Sequence, residues 1–379
     1  MEAHDADVKR GLAGVVADTT AISMVNEATN SLLYRGYPVQ ELAGGCSFEE
    51  VAYLLWNGDL PGASDLAELE SAERSLRPVP GEVLATLSEL PATCHPMDVL
   101  RTGVSLLGAL DPAEGDNSPD ANRRKALAMM ARIPTIVAAE QRRRRGQAPV
   151  APDPGLCFAE NFLYMTFGSR PDPDTLRSFE TSLVLYAEHS FNASTFTARV
   201  VASTLSDIYS AVVAAIGALK GPLHGGANEA VMVMLEEIHD PERAETWLDE
   251  ALAAKRTIMG FGHRVYKHGD SRVPTMHAAL ETLARTRPDG PRLLSLYDRL
   301  AAAMLDAKGI HPNLDYPSGP AYYLMGFDVP IYTPIFVVSR ITGWTAHVIE
   351  QLSANSLIRP LSSYVGPAER SLAGTRERD

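Results

Sequence analysis

Five short segments, each marked by glycine or proline, interrupt an otherwise apolar pattern and carry side chains that can move a proton or hold an anion. They are AEHSFNASTFTARV with His189, GPLHGGANEAV with His224, IMGFGHRVYKHGDSRV with His263 and Arg272, and HPNLDYPSGPAYYLMG with Asp315. The fifth is FVVSRITGWTAH running into NSLIRPLSSYVG, with Arg340 and Arg359. Imidazole and carboxylate serve as general acids and bases, and the planar guanidinium suits carboxylates and phosphates. In GPLHGGANEAV one histidine stands between a Gly-Pro break and two glycines, directly before an apolar helical run. Glycine lets backbone pass close to a ligand, and the same residues also make an ordinary helix-to-helix corner. Taken singly, each histidine also reads as a satisfied structural residue and each arginine as a surface charge.

Other chemistries lack their signatures. The sequence has no HExxH, no GxSxG nucleophile elbow and no Walker phosphate loop. GFGHRV begins like a dinucleotide fingerprint, but it lacks the third glycine and a preceding strand pattern. Cys46, Cys94 and Cys157 lie far apart with no CxxC or Cys/His pairing, so neither a disulfide framework nor a zinc site is expected. No ligand spacing points to a metal. What remains is acid–base chemistry by histidine and aspartate, with arginines for anionic groups.

The elements that must position these residues are helices. Met97, Leu100, Val104 and Leu107 follow the three-and-four spacing of one helix face, as do Leu176, Phe179, Leu183 and Tyr186. Val201, Leu205, Ile208, Val212, Ala215 and Leu219 read as one further helix, stopped by Gly221-Pro222. Val337, Ile341, Trp344 and Val348 form another stripe. Extended pieces are expected only near GVVADTTAISMV and SLLYRGYPV, and loops at DPAEGDNSPDAN and GQAPVAPDPG. Arg142 to Arg145, in QRRRRGQ, end a helical stretch that begins near Ile133. They read as a solvated helix end favoured by the macrodipole, with a ligand phosphate as the alternative.

Composition sets the outer bounds. A chain of 379 residues, 45% hydrophobic and 21% charged, can bury a large core and fits a soluble globular protein. A net charge of -13 argues against nucleic acid and membrane surfaces. No apolar run reaches bilayer-spanning length, and the acidic start MEAHDADVKRGLAG lacks the apolar core of a signal peptide. Together with the cysteine usage, this leads to the expectation of a reducing cytoplasm.

The motifs LAGVVADTTAIS, SLLYRGYPVQEL, CHPMDVLRTG, MGFGHRVYKHGDSRVPTM, SGPAYYLMGFD and SRITGWTAH occur in one order from about Gly11 to Gly366. On these the chain resembles the citrate synthase family, and within it the branch that makes 2-methylcitrate from propionyl-CoA and oxaloacetate. The resemblance implies an all-α fold: a large helical domain over 1–222 and 327–379, with a smaller helical domain inserted at 223–326. It implies Asp315 as the base at the thioester α-carbon and His224 as donor to the thioester oxygen. His263 would polarise the oxaloacetate ketone. His189, Arg272, Arg340 and Arg359 would bind oxaloacetate, the last reaching the neighbouring site of a homodimer. Coenzyme A, a co-substrate as propionyl-CoA or acetyl-CoA rather than a bound cofactor, would lie along Thr257, Ile258, Met259, Gly260, Phe261 and Gly262, with Lys267 on a phosphate.

Two departures stand out: Leu361 and Ser362 follow Pro360 where many relatives have a basic residue, and Ser271 replaces a common proline. Acetyl-CoA preference is the nearest alternative activity. A catalytically silent relative that binds CoA or a dicarboxylate is the alternative from another class, though such a protein has no need of an enolising base.

Overall fold

A computed structural model describes residues 8–26, 28–263, 265–266 and 269–370. A small antiparallel sheet lies near the start, with β1 (Ser23–Asn26), β2 (Ser31–Tyr34) and β3 (Tyr37–Pro38) in that order. It occupies the two stretches whose sequence reads as extended, and Ser23 pairs with Tyr34. Helices follow: α1 (Val39–Gly45), α2 (Phe48–Asn57), α3 (Ala63–Leu76), α4 (Gly81–Ser88) and α5 (Pro96–Ala109). Next come α6 (Pro119–Arg144), α7 (Phe158–Phe167), α8 (Pro173–Tyr186), α9 (Ala193–Ser203) and α10 (Ile208–Leu219). The last are α11 (Ala227–Ile238), α12 (Ala244–Ala253), α13 (Val273–Ala284), α14 (Gly290–Lys308), α15 (Asp315–Met325) and α16 (Tyr332–Ser353).

The core is organised around α16. Every residue from Tyr332 to Val348 is buried, so this helix has no solvent face over four turns. A helix apolar or small all round belongs in the middle of a multilayer protein. It packs on α6, α9, α10, α2 and α8. Helices α11 to α15 pack largely among themselves, and α13 also lies on α8.

Two expectations change. The stripe from Val201 to Leu219 is two helices, not one. Asp207 caps α10 by accepting from the Ser210 amide at 2.8 Å, and Leu205 takes a left-handed φ of 67° in the turn before it. A capping aspartate satisfies an amide that a continuous helix would have used internally; the hydrophobic period runs through the break undisturbed. Helix α6 starts at Pro119, well before Ile133, with Ser118 as its cap.

Among the described residues no helix is long and apolar enough to cross a membrane, and no cluster of histidine, cysteine and acidic side chains is suited to a metal.

Candidate active site

The C-terminal end of α8 is the meeting point. Asp172 and Pro173 start the helix, with Asp172 accepting from the Thr175 amide at 3.0 Å. Its last carbonyls have no partners within the helix, and two buried arginines from distant segments take them. Arg340 Nε donates to Tyr186 O at 2.6 Å, and Arg272 Nη1 approaches Leu185 O at 3.5 Å. Cations at this end are favoured by the helix dipole. Arg272 is also held in a fork by Asp270, at 2.9 and 2.6 Å, and Asp270 reaches the Leu314 amide at the foot of α15. The Arg340 guanidinium stacks over Phe336 at 4.6 Å and has no carboxylate within ion-pair distance among the described residues. It is a buried cation held by a carbonyl and a phenyl ring.

Asp315 opens α15, and its carboxylate accepts from the Tyr186 hydroxyl at 2.7 Å. Burial raises its pKa to about 6, against the pull of Tyr186 and Arg272. A carboxylate so raised is a stronger base than one in water, yet still ionised near neutral pH. The Tyr186 ring packs edge-on to Phe336 at 4.3 Å, and His224 faces the same phenyl ring at 6.4 Å. Phe336 thus ties Tyr186, Arg340 and His224 together.

The histidines are locked in opposite tautomers. His224 Nε2 accepts from the Ser194 amide at 3.2 Å, with the Ser194 hydroxyl at 2.8 Å. An amide can only donate, so the ring proton sits on Nδ1, an assignment made from its partners. His263 Nδ1 accepts from the Val265 and Tyr266 amides at 3.1 and 3.2 Å, so its proton sits on Nε2. Burial lowers both pKa values to about 4, helped by Arg340 at His224 and by Arg272 at His263. Both rings are neutral single-proton donors at physiological pH. His189 is buried, with Nε2 unpartnered, and lies edge-on to His263 at 5.0 Å. Burial, then Arg272, holds it well below the usual imidazole range.

Of the two readings of the glycines beside His224, the helix-to-helix corner is seen at Gly225. A Cβ on Gly225 would meet Leu219 O and Cγ at 2.5 Å, and the Gly225 amide donates to Leu219 O at 2.9 Å. That glycine makes the tight reversal off α10 which points the imidazole at Ser194.

The remaining sequence candidates divide. Thr257 to Gly262 form a loop zipped onto residues 311–313, with Gly262 N donating to His311 O and Asn313 N to Gly260 O. Ile258 and Gly260 are buried and Thr257 is exposed, and the Gly262 carbonyl accepts from Asn313 Nδ2 at 3.0 Å. Lys267 lies outside the described residues. Arg359 is exposed in the irregular segment 354–370 and makes no ion pair or hydrogen bond among the described residues. Ser271 is buried, and its carbonyl accepts from Gln40 Nε2 at 2.7 Å.

Arg142 to Arg145 are not a merely solvated end, because each side chain has a partner within the protein. Arg143 pairs with Glu140, and Arg145 pairs with Asp328 in a fork of 3.0 and 2.8 Å. Arg142 and Arg144 donate to backbone carbonyls.

Sequence reading missed Tyr186, Asp270 and Ser194. Tyr186 fits an apolar stripe, and Ser194 looks like a helix-start serine. Only the placement of Asp270 two residues before Arg272 offered a signal.

The family model described as citrate synthase, C-terminal domain, matches residues 11–361. The 2-methylcitrate synthase of Mycobacterium tuberculosis is 62% identical over 369 residues, covering 97% of this chain and 93% of that protein. The citrate synthase of Mycolicibacterium smegmatis is 60% identical over 365 residues, covering 96% of this chain and 97% of that protein. A solved ternary complex of citrate synthase from Thermoplasma acidophilum with carboxymethyl coenzyme A and oxaloacetate superposes with a TM-score of 0.93 at 35% identity, covering 98% of this chain and all of that one. Because sequence and backbone agree over nearly the whole length, this chain belongs to the citrate synthase family of condensing acyltransferases.

Proposed function

We propose that the protein condenses propionyl-CoA with oxaloacetate and water to give 2-methylcitrate and CoA, with side activity on acetyl-CoA. The observation that carries this reading is a pair of imidazoles in opposite tautomers, with Nδ1 of His224 and Nε2 of His263 as donors, in a protein that also holds a buried carboxylate of raised pKa at Asp315. Removing a proton beside a thioester carbonyl requires stabilisation of the enolate oxygen as its charge develops. Asp315 takes that proton, and His224 Nδ1–H donates to the thioester oxygen. The enolate carbon attacks the oxaloacetate ketone, polarised by His263 Nε2–H, which helps protonate the new alkoxide. Water then hydrolyses the thioester intermediate and releases CoA. His189, Arg272 and Arg340 hold oxaloacetate, with Arg340 as the cation that lacks a carboxylate of its own.

The segments bearing His263 and Asp315 belong, in this reading, to a small domain over 223–326 that closes on the rest and excludes water. A small-angle scattering profile unchanged by saturating oxaloacetate argues against such closure. The exposed Arg359 reaches the partner's site in a homodimer, and CoA lies against Thr257 to Gly262 and Lys267. The exposed run of Leu357, Leu361, Tyr364 and Val365 supports a second copy covering this segment. A cytoplasmic location fits this chemistry.

The branch assignment leans on the 62% identical relative named 2-methylcitrate synthase, while a 60% identical relative is named citrate synthase. One extra methyl in an apolar pocket is worth only about 1–3 kcal/mol, so activity on both thioesters is expected. Oxaloacetate-dependent thiol release from propionyl-CoA and acetyl-CoA, compared as kcat/KM, tests the reading. The expected result is a propionyl preference, with release lost in Asp315→Asn. An acetyl preference above about tenfold makes the chain a plain citrate synthase. Full activity in Asp315→Asn removes the mechanism altogether.

A further inference from the structure

Arg340, Gly343 and His347 share one face of α16, and the chain just past α8 lies directly on that face. A Cβ on Gly343 would stand 2.3 Å from Glu188 Oε2 and 2.4 Å from Ala187 O, so only hydrogen fits there. Glu188 is fully buried. Its Oε1 accepts from Ser23 Oγ at 2.9 Å and from His347 Nε2 at 2.9 Å, and its Oε2 has no partner. The Glu188 amide and carbonyl are both held by the Tyr34 hydroxyl, at 3.1 and 2.9 Å.

The charges around it sort themselves by pairing. Arg199 Nη1 lies 3.2 Å from His347 Nδ1, and a guanidinium can only donate. His347 Nδ1 is therefore an acceptor, and the one ring proton sits on Nε2 facing Glu188. That hydrogen bond serves Oε1 alone and leaves Oε2, the oxygen facing Gly343, without a partner. Arg199 is paired with Glu350 at 2.7 Å and Asp18 at 3.2 Å, and Arg272 with Asp270 at 2.6 Å. Among the described residues the buried Arg340 has no carboxylate, and the buried Glu188 no arginine or lysine, within ion-pair distance. They do not touch, but charges interact beyond contact distance where water is excluded. Burial lowers the Arg340 pKa to about 10, with Glu188 its strongest opposing influence.

We propose that Glu188 is a positioning residue that stands in for the substrate carboxylate, compensating Arg340 in the empty site and thereby limiting how tightly oxaloacetate is held. This rests on the reading that Arg340 binds oxaloacetate. A buried cation with no counter-charge is strongly destabilising, and a fixed anion nearby opposes an incoming dianion. Glu188 does both. It keeps the empty protein folded around its arginine and lowers the affinity for substrate.

The test is calorimetric titration of oxaloacetate into the full-length wild type, Glu188→Gln and Arg340→Gln, with thermal melts of each. Glu188→Gln keeps the side-chain shape and removes the charge. Its dissociation constant for oxaloacetate should fall by about threefold or more. Its ligand-free Tm should drop, and saturating oxaloacetate should raise that Tm by more than it raises the wild type's. A purely structural role predicts the reverse, weaker binding. Ser23→Ala, which removes one hydrogen bond but no charge, should bind oxaloacetate within about twofold of wild type.

Unchanged or weaker binding in Glu188→Gln, with weaker binding in Arg340→Gln, overturns this inference alone. Unchanged binding in Arg340→Gln overturns the reading of Arg340 and the inference with it. If Glu188→Gln does not fold, the double variant Glu188→Gln/Arg340→Gln decides: regained folding supports compensation, and an equally unfolded double variant overturns it.

Discussion

The ends of α8 and α6 both gather arginines, with opposite consequences. At α6 the cations close the helix's own end, and each is engaged at the surface: Arg143 and Arg144 by Glu140, Arg145 by Asp328, Arg142 by two carbonyls. They fasten a loop and a neighbouring turn to the helix end. At α8 the cations arrive from α16 and from the start of α13, are buried, and use the helix's last carbonyls as a seat. Arg340 keeps its charge unmatched by any carboxylate in contact. Local density of positive charge therefore says little about anion binding; what counts is whether the protein has already supplied the anion. Desolvation sharpens the contrast, because a screened surface pair is worth about 0–1 kcal/mol whereas an unmatched buried charge is costly.

The comparison breaks most visibly at the α8 end. Replacing His224 by alanine removes the proposed donor to the thioester oxygen, and kcat should fall by about 10²–10³ with little change in the oxaloacetate KM. Stopped-flow thiol release measures it, and a fall below about tenfold makes His224 structural. Arg340→Gln should instead act on binding, raising the oxaloacetate KM by roughly 10- to 100-fold at the strength of a charge-assisted hydrogen bond. An effect confined to kcat places Arg340 outside substrate binding.

Asp315 gives a stability signature with a definite sign. Its folded pKa, about 6, lies above the ordinary carboxylate value. The folded state binds this proton more tightly than the unfolded state does, so the group costs stability above about pH 6 and ceases to do so as pH falls below the unfolded value. Asp315→Asn should therefore melt higher than wild type at about pH 8, roughly two units above that pKa, with the difference vanishing in acid. Equal melting temperatures at neutral pH contradict burial as the cause of the raised pKa.

Tyr186→Phe removes the hydroxyl that favours the ionised carboxylate. The acid limb of kcat/KM should move up by about one pH unit. A limb that stays in place separates Tyr186 from the base. At the α6 end, Arg145→Ala should lower stability by less than about 1 kcal/mol and leave kinetics untouched. A kinetic defect there would erase the distinction between the two helix ends.

Much of the molecule was readable in advance. The stripes at Met97–Leu107, Leu176–Tyr186 and Val337–Val348 each fall within a single helix, α5, α8 and α16. The extended stretches near Met24 and Leu33 became β1 and β2. These patterns are local, with period and caps lying within a few residues. The break at Asp207 escaped because hydrophobic spacing carries no record of a capping hydrogen bond. Tyr186 escaped because a helix-face tyrosine is the same letter whether its hydroxyl meets solvent or Asp315, 129 positions away.

Residue types and their order along the chain established the family motifs and the helical class, because chemical identity and short-range periodicity are written in neighbouring letters. They could not establish which nitrogen of His224 or His263 holds the proton, which arginines are already matched, or how far burial lifts Asp315. Those properties belong to pairs and to local dielectric. Their partners are 30 residues distant for His224 and Ser194, and 154 for Arg340 and Tyr186, so only the folded chain brings them within hydrogen-bond reach.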